Sequence, residues 1–408
     1  MLLETVTEQD KSLLYMERWV DEGAKTYSPF AARTDVEPQY QPGRGNPSFD
    51  LVTVRVPKEI VSIFQATPPA TLSDWYIREE DVLFAVHPET WKDPGVDHLD
   101  QLHRLPRDEP IVVAPTASTR TVLTLEHASK VSPHFIKLHL PRRISRFNRR
   151  LRRKNIENSV ALSRDVAHIH LDRFAYLPDA LGFAIGEDDS SWGFLVRERF
   201  PRPSLGPRPL IPCFALYAGD LNCPQDPPLL VQMIEKFGAD PQAFVVDEIM
   251  LPVVECWVKA AREWGILLES HAQNTLLEID QDFRPRRIVH RDFDVWVDLD
   301  VRRRLGLDVP FLHAGIGGDS ERPTEQHYSV VYDRFIGHEF FDAVLGALKQ
   351  FYSINEAAVR ARVSDAFHQM FTDAEHFFPA RTMFYFSNDP QPGREHALVD
   401  MKRPPEWR

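Results

Sequence analysis

The sequence predicts an α+β protein built of more than one lobe, and three observations carry that expectation. The chain has 408 residues, whereas a single hydrophobic core stops growing at roughly 250 to 300 residues. Residues 246–265, VDEIMLPVVECWVKAAREWG, place apolar side chains at Ile249, Val253, Cys256, Trp257, Ala260 and Trp264, the spacing of one helical face, and Gly265 stands where a C-terminal cap belongs. Directly after it, ILLESHAQNTLLEID and RRIVHRDFDVWVDLD are extended runs of similar length joined by QDFRP, which reads as a β-hairpin.

Composition bounds the function. Hydrophobic residues make up 43 % and charged residues 26 %, the balance of an ordinary globular chain. The start, MLLETVTEQDKSLLYMERW, carries acids where a secretory signal has a basic end, and no segment approaches ~20 consecutive apolar residues. The expectation is a cytoplasmic protein with no membrane partner. Cys213, Cys223 and Cys256 are the only cysteines and form no CxxC pair, so neither a structural zinc site nor a disulfide framework is indicated. A net charge of −12 speaks against a nucleic-acid partner.

One segment runs against that charge. PRRISRFNRRLRRK, 141–154, holds eight basic residues in fourteen positions; it reads as a solvated helix face, as a phosphate-binding element of an enzyme, or as a nucleic-acid contact. Prolines cluster in PRPSLGPRPLIP (201–212) and NCPQDPP (222–228), which are extended connections between better-patterned segments. HEFFDAVLGALKQFY (338–352) reads as a helix whose aromatic stripe belongs to a core.

The hairpin carries an unusual polar load. Strand alternation puts Glu269, His271 and Gln273 on one face and Ser270, Ala272 and Asn274 on the other. The returning strand brings Arg291 and Asp292 past them. Polar side chains in a sheet often do no more than satisfy neighbouring backbone groups. The sharper reading is a Mg²⁺ and phosphate site, since carboxylates suit Mg²⁺ and imidazole or carboxamide N–H groups bond phosphate oxygens.

At this point the chain resembles the ATP-dependent synthetases that build siderophores without a nonribosomal assembly line, the NIS synthetases of the aerobactin-synthetase (IucA/IucC) type. GILLESHAQN (265–274) is similar to the family's H-x-Q-N signature, and RDFD (291–294) to the R-D motif that follows it. PTASTRT (115–121) resembles the S-x-R-T phosphate loop, and FIKLHLPRRISRFNRR (135–150) the K-L-x-L…I-T-x-x-x-R element, with Ser145 in place of the usual threonine. VHPETW (86–91) resembles an H-P-W-Q motif more loosely, and Arg197–Glu198 a family R-E pair. Family members are longer, and most of their N-terminal region has no counterpart. EGAKTYSPFAAR (22–33) aligns with the family's E-G-H-P-x-H-P-x-x-K-x-R but retains only Glu22, Gly23 and Arg33 of the marked positions.

The resemblance implies a cupped-hand architecture with a mostly missing thumb: a residual segment 1–20, an ATP-binding fingers lobe 21–163 and a catalytic palm lobe 164–408, with ATP in the cleft. It implies ATP and Mg²⁺ as cofactors, a carboxylate (a di- or tricarboxylate) and an amine or hydroxyl nucleophile as small-molecule partners, and a homodimer as the common assembly. Ser118, Arg120, Thr121, Lys137 and Arg149 are then expected on the phosphates. His271, Gln273 and Asn274 are expected on the nucleotide, Glu269 and Asp292 on the metal, and His271 with Arg120 in the catalytic role. Two alternatives stay open. HRDFD evokes a kinase loop, which leaves a small-molecule kinase, although His290, Arg291, Asp292 and Asp294 are compressed into one segment. The altered motif at 22–33 leaves a catalytically reduced binding or scaffold subunit.

Overall fold

The computed structural model describes residues 1–7, 10–20, 34–125, 131–309, 314–388 and 397–408. The altered motif at 22–33 lies outside them. The α+β class is as expected, and the chain forms two compact units. Described residues 34–167 with Leu177–Arg202 make a sheet unit; described residues 1–20, His168–Tyr176 and Pro203–Arg408 make a C-terminal unit.

The sheet unit is an eight-stranded antiparallel sheet in the order Ser62–Gln65, Asp179–Ile185, Trp192–Arg197, Phe135–Leu138, Thr121–Thr124, Ile111–Pro115, Phe49–Pro57, Asp81–Val86. One face buries Val54, Phe84, Val113, Ile136, Phe183 and Phe194. The other receives the helix Arg153–Val166 through Ile156 and Val160. That helix lies so close to the sheet that a Cβ on Gly182 would sit 3.2 Å from Val160 Cγ2 and closer still to Ile156, so glycine is the residue that fits. Arg197 and Asp179, opposite each other on adjacent strands, form a buried ion pair at 2.7 Å, and Glu198 pairs with Arg202 at 2.6 Å. These partners give Arg197 and Glu198 a structural account.

The basic run divides. It is not one helix face: Arg143–Ile144 and Phe147–Asn148 pair as a small hairpin, and the helix begins at Arg153. Ser145 takes φ +60 in the hairpin turn.

In the C-terminal unit the expected helix is present in two parts, a π-helical turn Val246–Met250 and an α-helix Leu251–Trp264. Pro252 has no N–H to give the preceding turn, and a wider turn accommodates its ring. Gly265 caps the helix at φ +63, where a Cβ would lie 2.7 Å from the Asp298 carbonyl oxygen. The expected hairpin also forms: Thr275–Ile279 pairs with Pro285–His290 inside a four-stranded sheet completed by Leu210–Pro212 and Phe174–Tyr176. Glu278 and Arg287 face each other across it and make a buried ion pair at 2.6 Å. Residues 338–348 are helical, in the end of a π-helix Val330–Phe341 and the helix Asp342–Leu348; Phe340 and Phe341 are buried as expected, whereas Phe351 lies past the helix end and is exposed. Trp257, Tyr332, Phe367 and Phe378 pack ring against ring beneath them.

Three histidines are sealed inside the sheet unit. Burial, the dominant cause, holds His87 at a pKa of about 3 with help from the Arg142 charge, and His134 at about 4. Burial holds His139 at about 3 with help from the charges of Arg152, Arg150 and Arg120. Each is neutral when folded and binds a proton more readily when unfolded. Their stabilising contribution is therefore complete above the unfolded value of 6.5 and is lost as pH falls toward the folded values. At pH 5 the loss is about 2 kcal/mol for each. Urea midpoints should fall steeply between pH 6.5 and 4.5, and His134→Gln should flatten that decline; a flat wild-type profile would show that these rings are not held neutral.

Candidate functional site

In the sheet unit the phosphate-loop residues are gathered by backbone geometry. Thr119 bends the loop at φ +64 and donates its N–H to Thr116 O at 2.8 Å. The Thr116 hydroxyl donates to Thr121 O at 2.6 Å, and Thr121 N–H donates to Ser118 Oγ at 3.1 Å. Thr121 then enters a strand directly opposite Lys137, whose side chain is 2 % exposed. Arg120 accepts the Leu138 N–H at its carbonyl oxygen and donates from Nη1 to Arg149 O at 3.4 Å. Ser118, Arg120, Thr121, Lys137 and Arg149 thus lie in one unit, with Thr121 beside Lys137 and Arg120 beside Arg149.

The field there is positive. Charges of Arg120, Arg150 and Arg152 all reach His139 and oppose its protonation. Other basic residues of the run are committed elsewhere: Arg142 to Glu89 at 2.8 Å and Asp93 at 2.7 Å, and Arg153 to Glu187. His87, in the loosely matching VHPETW motif, caps the short helix Pro88–Trp91 by accepting the Glu89 N–H at Nδ1, and its ring lies edge-on to Tyr40. That is a structural role.

In the C-terminal unit the strand-face grouping needs correction. Residues 268–274 are not a strand, so alternation does not place Glu269, His271 and Gln273 on one face. After Ile266–Leu267 the chain leaves the sheet and turns, with Asn274 N–H donating to His271 O at 3.0 Å and Ser270 N–H to Leu268 O at 2.9 Å. His271 Nδ1 accepts the Gln273 N–H at 3.2 Å. Side-chain-to-backbone bonds of this kind compete with the ladder and win locally.

The turn is fixed from outside by Arg291. Its Nε donates to Gln273 O at 2.9 Å, and its backbone N–H donates to Asn274 O at 2.9 Å. Its Nη1 meets Glu17 at 2.6 Å in an ion pair whose side chains are 7 % and 1 % exposed. Phe214 N–H adds a bond to Ala272 O at 3.2 Å. Phe335 stands edge-on to the His271 ring at 5.5 Å. The structure thereby holds His271, Gln273 and Asn274 in one turn beside Arg291, with half-buried Glu269 at one end and half-buried Asp292 next to Arg291. Asp292 has φ +76, a conformation that a non-glycine residue keeps only where its surroundings impose it.

Among the described residues no group of three or more His, Cys, Asp or Glu side chains could hold a metal. Mg²⁺ commonly takes one or two protein carboxylates and completes its shell from water and phosphate; Glu269 and Asp292 are carboxylates of that chemistry, one at the start of the turn and one next to Arg291. Sequence reasoning placed Arg291 near the site without giving it a task, and it missed Glu17 and Phe335. Those two lie far away in the chain, and no local spacing connects them to residue 271.

The fold is that of the NIS synthetases. The chain is similar to ATP-bound aerobactin synthetase IucA from a hypervirulent pathotype of Klebsiella pneumoniae, with a TM-score of 0.69 and 15 % identity over 98 % of this chain and 79 % of that one. It is similar to the petrobactin biosynthesis protein AsbB of Bacillus anthracis, with a TM-score of 0.66 and 15 % identity over 97 % and 77 %. Aerobactin synthetase IucC of Klebsiella pneumoniae gives a TM-score of 0.66 and 17 % identity over 90 % and 71 %. Residues 247–403 match the family described as "Ferric iron reductase FhuF-like transporter". No curated protein sequence matches the chain. Among the described residues no helix is long and apolar enough to cross a membrane.

Arg291→Met should cost about 3–5 kcal/mol, because it removes the guanidinium paired with the buried Glu17 carboxylate, and should speed amide exchange at Asn274. Urea unfolding with residue-resolved exchange tests this, and wild-type values for both would remove Arg291 from its role as the anchor of the turn.

Proposed function

We propose that this protein is an ATP-dependent synthetase of the siderophore type, which activates a carboxylic acid as an acyl-adenylate and passes the acyl group to an amine or hydroxyl. The observation that supports it best is a fold shared over 98 % of the chain with an ATP-bound synthetase, to which each unit adds a preorganised loop of its own, 116–121 in one and 268–274 in the other. In the first step a carboxylate oxygen attacks the α-phosphorus of ATP and pyrophosphate leaves. In the second, the nucleophile attacks the acyl carbon, AMP leaves with the bonding electron pair, and the nucleophile gives up its proton.

The first step brings two anions together, so charge stabilisation in a preorganised site is the main requirement. Arg120 and Arg149 offer planar forks to phosphate oxygens, Lys137 a point charge, and Ser118 and Thr121 hydroxyls. In the neutral His271 ring the proton sits on Nε2, because Nδ1 is occupied as an acceptor; the ring thus presents an N–H to negative charge developing on phosphate. Gln273 and Asn274 supply carboxamides that orient the nucleotide or acyl group. Glu269 and Asp292 would hold Mg²⁺, which offsets phosphate charge when bound.

The iron-reductase description attached to residues 247–403 has less support. That segment contains one cysteine, Cys256, whereas iron–sulfur clusters are typically held by four thiolates.

Purified protein with Mg-ATP, a panel of di- and tricarboxylates and an amine or hydroxylamine should release pyrophosphate. Release of ADP and phosphate instead would favour a small-molecule kinase, and absence of nucleotide binding a scaffold subunit. Arg120→Ala and His271→Ala should each lower turnover by about 10²–10³-fold with unchanged unfolding midpoints. Near-normal rates in both would overturn the assignment.

A further inference from the structure

Phe335, the ring that stands edge-on to His271, sits in an unusual stretch of helix. The chain is helical from Thr324 to Leu348, but its central 12 residues, Val330–Phe341, form a π-helix between two α-helical ends. Such geometry is rare, usually lasts a single turn and gathers at functional sites. Every residue of the stretch except His338 is buried.

Two of its buried charges meet. Arg334 Nε donates to Glu339 Oε1 at 3.0 Å in an ion pair whose side chains are 9 % and 3 % exposed. The two residues are five positions apart. In an α-helix, side chains at that separation point about 140° away from one another, whereas a helix with i→i+5 hydrogen bonds brings them to one side. The contact therefore exists only while the stretch is π-helical. In α geometry the guanidinium and the carboxylate would turn apart within an interior that tolerates buried charge only in pairs. Ion pair and π-helix hold each other.

Arg334 also braces the ring that follows it. Its guanidinium lies over Tyr385, 4.2 Å from the ring centre, and Tyr385 meets Phe335 edge-on at 6.1 Å. Phe386 adds a further ring at 6.4 Å from Phe335. Farther along, Gly337 leaves room for Trp407, since a Cβ there would lie 2.6 Å from the indole Cδ1. Trp407 accepts the Tyr332 hydroxyl at its carbonyl oxygen at 3.3 Å and donates from Nε1 to Asp342 at 3.1 Å. Relaxing the stretch to α geometry would turn Phe335 about the helix axis and away from these neighbours. The register of the helix thus decides where Phe335 meets His271.

We infer that the Arg334–Glu339 pair is a register lock that positions His271. By keeping Val330–Phe341 π-helical it holds Phe335 against the imidazole, and so keeps the orientation in which Nδ1 accepts the Gln273 N–H and Nε2 carries the proton. Arg334 and Glu339 are positioning residues that act through Phe335. The inference deepens the proposed function and rests on it for the effect on turnover; the effect on the His271 ring does not depend on it.

The experiment removes both charges at once, Arg334→Met with Glu339→Leu in the intact protein, because apolar side chains of similar volume in place of a buried ion pair often leave stability unchanged or raise it. The urea midpoint should be at or above that of the wild type. Proton–nitrogen spectra of the histidine rings at about pH 8, where imidazole is neutral, with His271 assigned by its loss in His271→Ala, should show one Nε2–H tautomer in the wild type and an average of both tautomers in the double variant. Pyrophosphate release should fall about ten- to hundredfold with KM for ATP unchanged. Arg334→Lys, which keeps the charge, should retain the wild-type spectrum and rate. An averaged His271 spectrum already in the wild type, a wild-type spectrum in the double variant, or wild-type turnover despite an altered spectrum would overturn the inference. So would a fall in turnover that merely follows a lowered urea midpoint, with Arg334→Lys impaired alike, because the pair would then be structural only. If the wild type releases no pyrophosphate with any acid, the synthetase reading fails alone, and the His271 spectra still decide for or against the lock.

Discussion

The buried contact between Arg291 and Glu17 is the constraint on which the C-terminal unit's polar turn depends. A guanidinium and a carboxylate at 2.6 Å, both nearly inaccessible, are tolerable in an interior only as a pair. Arg291 gives two further donors to the turn, Nε to Gln273 O and its backbone N–H to Asn274 O. A single side chain therefore ties an N-terminal helix, Asp10–Trp19, to the backbone that carries His271. Opening the turn breaks both bonds from Arg291, whose guanidinium the ion pair holds in place, and that restrains the turn before any ligand arrives.

The sheet unit solves a different problem, that of concentrating positive charge without unfolding around it. Its basic run is split between residues paired with Glu89, Asp93 and Glu187 and residues grouped around Arg120. Antiparallel pairing sets Lys137 opposite Thr121, and the bent loop before Thr121 carries Ser118 and Arg120. Neutral His139 lies within reach of three of these charges and adds none of its own. A cationic loop is thus built on a rigid strand pair, an arrangement that suits phosphate oxygens.

What could be read in the sequence follows from the range of the forces involved. The helix ending at Gly265 and the hairpin at Thr275–His290 were legible, because capping, periodicity and turn chemistry act over a few residues. So were the members of the loop at 118–121 and their association with Lys137, through a motif rather than through periodicity. The strand-face grouping of Glu269, His271 and Gln273 failed because His271 and Arg291 offer the backbone alternative partners, and hydrophobic alternation does not register that competition. Glu17, Phe335 and the interleaving of Leu177–Arg202 with the earlier strands were invisible. They arise from pairings across tens to hundreds of positions, for which one sequence holds no local signal.

The turn also decides what kind of chemistry His271 can do. A histidine acting as general base needs a bare nitrogen aimed at the proton it removes. Here Nδ1 already accepts the Gln273 N–H, and a neutral ring in that tautomer carries its remaining proton on Nε2. The Nε2 end of the imidazole is then a donor, suited to an oxygen gaining negative charge and unsuited to abstracting a proton from an amine. Phe335, edge-on at 5.5 Å, restricts the ring's tilt and so the direction of that N–H. The proposed chemistry, whose first step joins two anions, asks for a donor of this kind and not for a base.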